Sequence, residues 1–413
     1  MNHLISVFCL LLLSTVPSSQ QGNLLTDTAI YWPAPSMAKP AYLKPVADPV
    51  FGTTITRIVG NPGEPIPNIA NAVWADEQLR HGYSKRQPWN CDMSMIYLDR
   101  HSPELWLDGT TYEVLFTRNK PGSHVRWSAT EPEIMFYLHS SDTGASHLGK
   151  WNVVHEQTTT VLDLSGYTAL SFGKGEGNFT LDGSKVAITG RRLADGHEVI
   201  FIIDVVQRSK GADIDMDGQA VTVANATISP FGNFLVITGD FGQGSDRLQV
   251  RNAASGEILY TETEYGMPSH FDVQVDQDGN EVIAGVAKTT AHGVRSGTVI
   301  KRVLATGAIS VIADHKYASH TSGRAVGRPG WVFVTYQNRS TSYPPYINEL
   351  VAVKLDGSRT ERIAHLHAKK FNYVSESHGV PSPDGLRVLW ASNWDTGAYP
   401  VQAYIADFRE AVK

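Results

Sequence analysis

Cysteine is almost absent from this sequence, because its 413 residues include only Cys9 and Cys91. Cys9 lies in an apolar amino-terminal segment that we expect to be cleaved, so the remaining chain cannot form an intrachain disulfide. The folded chain must therefore be stabilised by packing and backbone hydrogen bonds.

Long apolar runs and clusters of positive charge are missing as well. The apolar run from Leu4 to Leu13 is too short to span a bilayer. A formal net charge of −6 and the lack of any Lys/Arg-rich run are not typical of a nucleic-acid-binding protein. We therefore expect a monomer with neither a membrane span nor a nucleic-acid partner.

The amino terminus has the pattern of a secretory signal. Its short apolar run is followed by Pro17-Ser18-Ser19, which resembles a small-residue cleavage zone. We predict a signal peptide over residues 1–20 and a secreted protein, periplasmic if the source is bacterial. Three Asn-x-Ser/Thr sequons fit a secreted glycoprotein, at Asn178, Asn225 and Asn338.

A turn followed by an apolar strand recurs along most of the chain. The clearest copy is Pro383-Asp384-Gly385, in which Pro presets φ and Gly accepts a positive φ, before an alternating strand. Equivalent phrases begin at Asn90, Thr130, Leu181, Pro230, Gln277 and Arg328. Seven units of roughly 40 to 55 residues match the repeat length of propeller blades.

The sequence therefore predicts an all-β protein, a seven-bladed β-propeller in a single domain over residues 53–413. Residues 21–52 are rich in proline and aperiodic, which predicts an extended arm. The alternating segment from Thr53 to Val59 is expected to complete the last blade, as amino-terminal strands of propellers do.

Four of the seven units carry a Ser-His pair near the start of the innermost strand: Ser123-His124, Ser269-His270, Ser319-His320 and Ser377-His378. Residues at that place converge on one mouth of a propeller, so the imidazoles would meet there. The alternative is that each His is a structural cap, as the recurring His of WD40 blades is. Polar neighbours that differ among the blades favour a site.

Those neighbours suit either an anionic ligand or a metal. Arg126, Asp272, Arg324 and Glu376 lie within a few residues of the four pairs, and other blades contribute Tyr83, Lys85, Gln87 and Glu176. Arg beside imidazole matches carboxylate or sulfate. Two or three His with a carboxylate equally suit Zn or Mn. Residues 213–218 resemble half of a Ca loop or a plain turn.

The phrases at residues 127–137 and 378–385 resemble those of TolB-type propellers. The Ser-His placement resembles that of the seven-bladed oligogalacturonate and ulvan lyases. Likeness to the oligogalacturonate lyases implies His270 as the base and a divalent metal on His320 and His378. Glu376 then replaces a further His of that family, completing the predicted ligand set, and Tyr373 replaces a Gln. Likeness to the ulvan lyases implies His124 as the base instead.

The resemblance implies β-elimination at a uronate of an anionic polysaccharide or oligosaccharide. His270 or His124 would take the C5 proton, Arg126, Arg324 or the metal would stabilise the carboxylate, and Tyr83 would protonate the leaving oxygen. Substrate would be bound by Lys85, Gln87, Glu176, Asp272 and, through stacking, Trp394. No nucleotide or redox cofactor is required.

Two other functions stay open. One is a non-catalytic secreted propeller that binds a glycan or protein, with a structural ring of His. The other is a hydrolase that uses Glu176 and Asp272. A serine hydrolase of the elbow type is disfavoured because the sequence lacks Gly-x-Ser-x-Gly, and the loop at residues 173–177 lacks the Lys-Ser/Thr of a phosphate loop.

Overall fold

The computed structural model describes residues 24–337 and 342–412. Within these ranges, seven antiparallel sheets follow one another along the chain and form a seven-bladed β-propeller, which confirms the predicted fold. The predicted signal peptide, residues 1–20, and the Asn338 sequon lie outside the described residues and stay predictions. The domain boundaries stay predictions too.

The strands of each blade succeed one another from the central channel to the outer edge of the sheet. Blade one contains Met95–Leu98, Leu105–Asp108 and Val114–Thr117; blade two His124–Trp127, Ile134–His139, His147–Asn152 and Gln157–Asp163; blade three Tyr167–Ser171, Lys185–Arg192, Glu198–Asp204, Ser209–Lys210 and Ile214–Asp215. Blade four contains Thr222–Ile228, Phe234–Asp240, Asp246–Asn252 and Ile258–Thr261; blade five Ser269–Val275, Glu281–Val286, Val299–Val303 and Ile309–Ala313; blade six Ala318–Ser322, Trp331–Tyr336, Glu349–Lys354 and Thr360–His365. Short 3₁₀ helices cover Gly173–Gly175, Asp217–Gln219 and Arg409–Ala411.

Blade seven joins the two ends of the propeller. It contains Val380–Pro381, Arg387–Ser392, Val401–Asp407, Thr54–Arg57 and Val46–Ala47, with Gln78–Leu79 added in parallel to Val401–Asp407. The pairing of Thr54 with Asp407 and of Arg57 with Tyr404 confirms that the amino-terminal strand completes the last blade. Backbone hydrogen bonds thus close the ring without a covalent link.

In blades two to seven the recurring turn precedes the second strand, one strand further out than the channel lining, and in blade one it precedes the first strand, Met95–Leu98. In the clearest copy, the Asp384 carboxylate accepts the backbone N–H of Leu386 at 3.1 Å and Gly385 has a φ of 69°. The strand that follows, Arg387–Ser392, is buried along its whole length because the neighbouring blades cover both faces.

Apolar side chains fill the spaces between neighbouring blades. Val282 and Ala284 of blade five, for example, pack in one cluster with Val332 and Val334 of blade six. Burial of each such Val side chain contributes about 1.5–3 kcal/mol. Within the described part of the chain, no helix is long and apolar enough to cross a membrane.

The innermost strands of blades three to six are bulged near the mouth at which the Ser-His pairs lie. Their pairing with the second strand shifts register between Thr168 and Ser171, Val223 and Asn225, Ser269 and Asp272, and Ala318 and His320. A bulge bends a strand and redirects its side chains. In blades five and six the displaced residues include His270 and Ser319.

Candidate functional site

Three of the four predicted imidazoles meet at the axis of the propeller. The ring centroids of His270 and His320 are 4.5 Å apart, and those of His320 and His378 are 4.3 Å apart. Tyr83 contacts His320 and His378 edge to face at 5.2 and 4.9 Å. Together with Glu376, these four residues are called the axial cluster below.

Two residues of the axial cluster adopt an unfavourable backbone conformation. His270 has a φ of 47° and His378 a φ of 45°, in the left-handed region that costs a side-chain-bearing residue about 1–3 kcal/mol. Such strain persists only where surrounding contacts enforce it. The fold therefore holds both imidazoles in place against the local preference of the chain.

Ser319 sets the protonation of two imidazoles. Its carbonyl oxygen can only accept, so the Nδ1–H of His270 donates to it at 2.5 Å. Its hydroxyl donates to the Thr335 carbonyl at 3.0 Å and accepts from Nδ1 of His320 at 3.3 Å. Both rings therefore carry the proton on Nδ1 and leave Nε2 with a free lone pair.

His320, Glu376 and His378 form a candidate metal-ligand group, as predicted, with ligand atoms within 4.8 Å of one another. Oε2 of Glu376 lies 3.2 Å from Nε2 of His378 and 3.6 Å from Nε2 of His320. Its other oxygen accepts a hydrogen bond from Lys370. The carboxylate is therefore already neutralised by an ammonium group.

The hydrogen bonding of His378 does not fit a three-ligand metal centre. Arg80 donates to Nδ1 of His378 at 2.8 Å, and a guanidinium has no lone pair to accept in return. The proton of the neutral ring must therefore lie on Nε2, the atom that faces Glu376. A metal would need the lone pair of that same atom.

A cavity of about 270 Å³ opens beside the axial cluster. Its walls include His270, Tyr83, Tyr373, Lys85 and Glu176, together with Arg247 and Tyr265. Burial raises the pKa of the Tyr83 hydroxyl far above its ordinary value, an effect that Glu176 strengthens, so Tyr83 stays protonated and can donate.

Lys85 and Glu176 form an ion pair in this wall at 2.6 Å. The Lys85 ammonium also lies 4.4 Å from the centroid of the Phe271 ring. Burial would raise the pKa of Glu176, but Lys85 and His270 outweigh it and lower that pKa. Glu176 is therefore a carboxylate that holds Lys85 at the cavity, as expected of a binding residue and not of a proton donor.

The sequence did not reveal Lys288, which lies beside the axial cluster just after the strand Glu281–Val286. No hydrogen bond or ion pair joins its ammonium group to any residue of the described ranges. Burial lowers its pKa, which the nearby Glu376 opposes. No motif marks this position, and only its place at the end of a second strand at the mouth could have indicated it.

The fourth predicted imidazole belongs to a separate group, called the blade-two cluster. His124 lines a cavity of about 50 Å³ with Arg86, Asp99, Lys120 and Arg126. Arg86 pairs with Asp99 at 2.9 Å. Arg126 donates to the carbonyl oxygens of residues 125, 175 and 177, so its guanidinium is occupied by the backbone. Burial, with Arg126 and Arg86 adding to it, lowers the pKa of His124 to about 4.

Three predicted site residues, the catalytic candidate Arg324 and the substrate-binding candidates Gln87 and Asp272, make contacts within the protein instead. Arg324 donates two hydrogen bonds to the carboxylate of the buried Asp272, at 2.8 and 2.9 Å. The Gln87 amide donates to the carbonyls of Arg324 and Pro381 and braces the channel wall. These contacts hold the innermost strands together. A hydrolase built on Glu176 and Asp272 is disfavoured because both carboxylates are paired with cations.

Trp394 is not at the mouth. It is only 8% exposed, packs in the core of blade seven with its ring 4.4 Å from that of His367, and donates Nε1–H to the Met37 carbonyl at 3.1 Å. The prediction that it stacks on a sugar is therefore wrong. Its indole instead contacts the amino-terminal arm at Met37.

Two further predicted sites are occupied by other contacts. Asn178 is buried and donates its amide to the Lys85 carbonyl at 2.9 Å, so this fold leaves no room for a glycan there. In the Ca-like turn, Asp213 and Asp215 accept hydrogen bonds from Arg192 at 3.2 and 2.9 Å. Asp195, His197 and Asp215 form a second candidate metal-ligand group, of which only Asp195 is fully exposed, around this same Arg.

No protein-family model matches the sequence, and no curated protein matches it either. Solved structures match the fold. An oligogalacturonate lyase in complex with manganese has a TM-score of 0.62 and 13% identity, covering 95% of this chain and 99% of that one. An oligogalacturonate lyase from Vibrio parahaemolyticus has a TM-score of 0.61 and 10% identity, covering 95% and 100%. The chain is thus a seven-bladed β-propeller that shares its fold with oligogalacturonate lyases.

Proposed function

We propose that the protein is a secreted lyase that cleaves a uronate-containing polysaccharide or oligosaccharide by β-elimination at the axial cluster. The observation that carries the proposal is His270, whose Nδ1–H is held by the Ser319 carbonyl at the edge of the 270 Å³ cavity. Its Nε2 lone pair is the proton acceptor that such a reaction needs. The activity of the oligogalacturonate lyases that share the fold supports the same reaction class.

The reaction removes one proton from C5 and adds one proton to the glycosidic oxygen on C4. His270 Nε2 takes the C5 proton, the C4–C5 double bond forms, and the bond from C4 to the glycosidic oxygen breaks. Tyr83 donates its proton to that oxygen, since burial keeps the hydroxyl protonated. No water is consumed.

The C5 proton is weakly acidic unless the neighbouring carboxylate is neutralised. Lys288 is suited to this task because its ammonium group is half-buried beside His270 and has no partner among the described residues. A cation that is already in place stabilises the charge that develops in the transition state. Lys85 and Arg247, which both line the cavity, would bind the acidic groups of neighbouring sugars.

The test is ultraviolet absorbance of the unsaturated uronate product, with purified protein and a panel of polygalacturonate, ulvan, alginate and glycosaminoglycans. We expect product from at least one polymer, and none from it with His270→Gln. His155→Gln, which changes an exposed imidazole, is the matched control and should be fully active. Binding to a polymer without product, by a folded protein, would instead establish the non-catalytic propeller.

A further inference from the structure

We infer that Arg80 fixes His378 as a neutral Nε2–H donor and thereby removes it from metal ligation, so that the axial cluster is not a three-ligand metal centre. This inference does not depend on the proposed reaction. It rests on the complete set of hydrogen bonds made by one buried guanidinium group.

Arg80 is 3% exposed and lies directly after the strand Gln78–Leu79. Its five N–H groups meet five acceptors. Four of these are backbone carbonyl oxygens, of His81 at 3.0 Å, Val374 and Glu376 at 2.5 Å each, and Gly82 at 3.2 Å. The fifth is Nδ1 of His378 at 2.8 Å.

Of the two neutral forms of the ring, this arrangement favours the one protonated on Nε2, and the Gly82 carbonyl, which also lies near the ring, already accepts from Arg80. Carbonyl oxygens cannot donate, so the guanidinium is anchored as a donor on every side, and it never loses its proton. Nδ1 of His378 must therefore offer its lone pair. The ring proton lies on Nε2 and is donated to Oε2 of Glu376 at 3.2 Å.

Turning the ring over would not rescue a ligand role. A flipped imidazole would present C–H groups to both Arg80 and Glu376 and would lose both hydrogen bonds. The backbone is held as well, because Nε2 of His81 donates to the His378 carbonyl at 2.6 Å. The left-handed φ of 45° at His378 shows how tightly these contacts determine its place.

Metal-binding His residues have the opposite pattern. The nitrogen that does not bind the metal normally donates to a carbonyl or carboxylate, which leaves the other nitrogen free to coordinate. His320 has that pattern, with its Nδ1 directed to Ser319. At His378 the outer nitrogen instead accepts from a cation. Only His320 and Glu376 then remain of the candidate ligands, and Lys370 already pairs with Glu376.

The first experiment records the ring-nitrogen NMR spectrum of the full-length protein labelled in His, with His378 assigned from the His378→Gln variant. We expect a protonated Nε2 and an unprotonated Nδ1, unchanged by added zinc(II), which is diamagnetic. A protonated Nδ1, or loss of the Nε2 proton of His378 on addition of one equivalent of zinc(II), would overturn the inference.

The second experiment measures manganese(II) binding by calorimetry in wild type and Arg80→Gln. The Gln carbonyl can accept Nδ1–H and so release the Nε2 lone pair, and we expect the variant to bind manganese(II) at least about tenfold more tightly than wild type. Arg100→Gln, at an exposed position nearby, is the control and should match wild type. A folded Arg80→Gln protein with unchanged affinity would refute the role of Arg80. If that variant does not fold, the wild-type spectrum still decides.

Discussion

The axial cluster and the blade-two cluster begin from the same dipeptide, Ser-His at the start of an innermost strand, and differ in what holds the imidazole. In the axial cluster, Ser319 and Arg80 set the tautomer of each ring through hydrogen bonds. In the blade-two cluster, no hydrogen bond within the described residues holds the ring of His124. That ring lies among three cations, Arg86, Lys120 and Arg126.

This difference separates a positioned base from an imidazole in a cationic pocket. A base must present a lone pair in a fixed direction and must have a pKa near the working pH. Burial lowers the pKa of both imidazoles, that of His124 to about 4. What distinguishes His270 is its lone pair, which the hydrogen bond to the Ser319 carbonyl holds in a fixed direction. The same Ser-His dipeptide therefore leads to different chemistry in the two clusters, because residues of other blades supply the hydrogen-bond partners and the neighbouring charges.

The largest expected effect separates His270 from His124. We expect His270→Gln to lower kcat by about a thousandfold, the typical contribution of a general base. His124→Gln should lower it less than about tenfold, since that ring would act only through substrate binding. The measurement is the initial rate of unsaturated product formation by each variant, with circular dichroism as the check on folding.

Equal losses in the two variants would erase the distinction between the clusters. A large loss confined to His124→Gln would move the base to the blade-two cluster and favour the ulvan-lyase-like interpretation.

A smaller effect is expected for the cations. Lys288→Met should lower kcat/KM by about a hundredfold, because an uncompensated carboxylate would then oppose removal of the C5 proton. Lys120→Met is the matched control, since Lys120 already pairs with Glu104 at the other cluster. Its loss should be several times at most. If Lys120→Met has the larger effect on a uronate polymer, the carboxylate is bound at the blade-two cluster.

The smallest expected effect concerns stability against pH at His81, which lines the blade-two cavity and bonds to His378 of the axial cluster. Burial lowers its pKa to about 3, below the 6.5 of the unfolded chain. Between these two values His81 binds a proton in the unfolded chain but not in the folded chain. The free energy of unfolding therefore falls as the pH drops below 6.5. His81 should account for about 1.4 kcal/mol per pH unit of that fall.

Urea unfolding at a series of pH values would measure this slope in wild type and in His81→Gln, whose amide can still donate to the His378 carbonyl. The variant should lose less stability per pH unit than wild type. Identical slopes would mean that His81 carries no linkage and that the two clusters titrate independently of it.

Several structural features were predicted because their signals are local. A turn of this kind needs only a few adjacent residues, so the seven copies located one strand of each blade, and the order of blades placed three Ser-His pairs at one mouth. The grouping of His320, Glu376 and His378 followed from the same repeat. Trp394 was misplaced because an aromatic near a strand end has the same appearance in a sequence whether it clamps an arm or faces solvent.

The repeat and the order of the blades were thus contained in the sequence pattern, because each turn and the strand after it are specified by adjacent residues. Which nitrogen of each imidazole carries the proton was decided only by the tertiary structure. Arg80 reaches His378 across 298 positions, and Ser319 acts on His270 through a backbone carbonyl. Every residue has a carbonyl, so no sequence pattern marks the one that determines the chemistry.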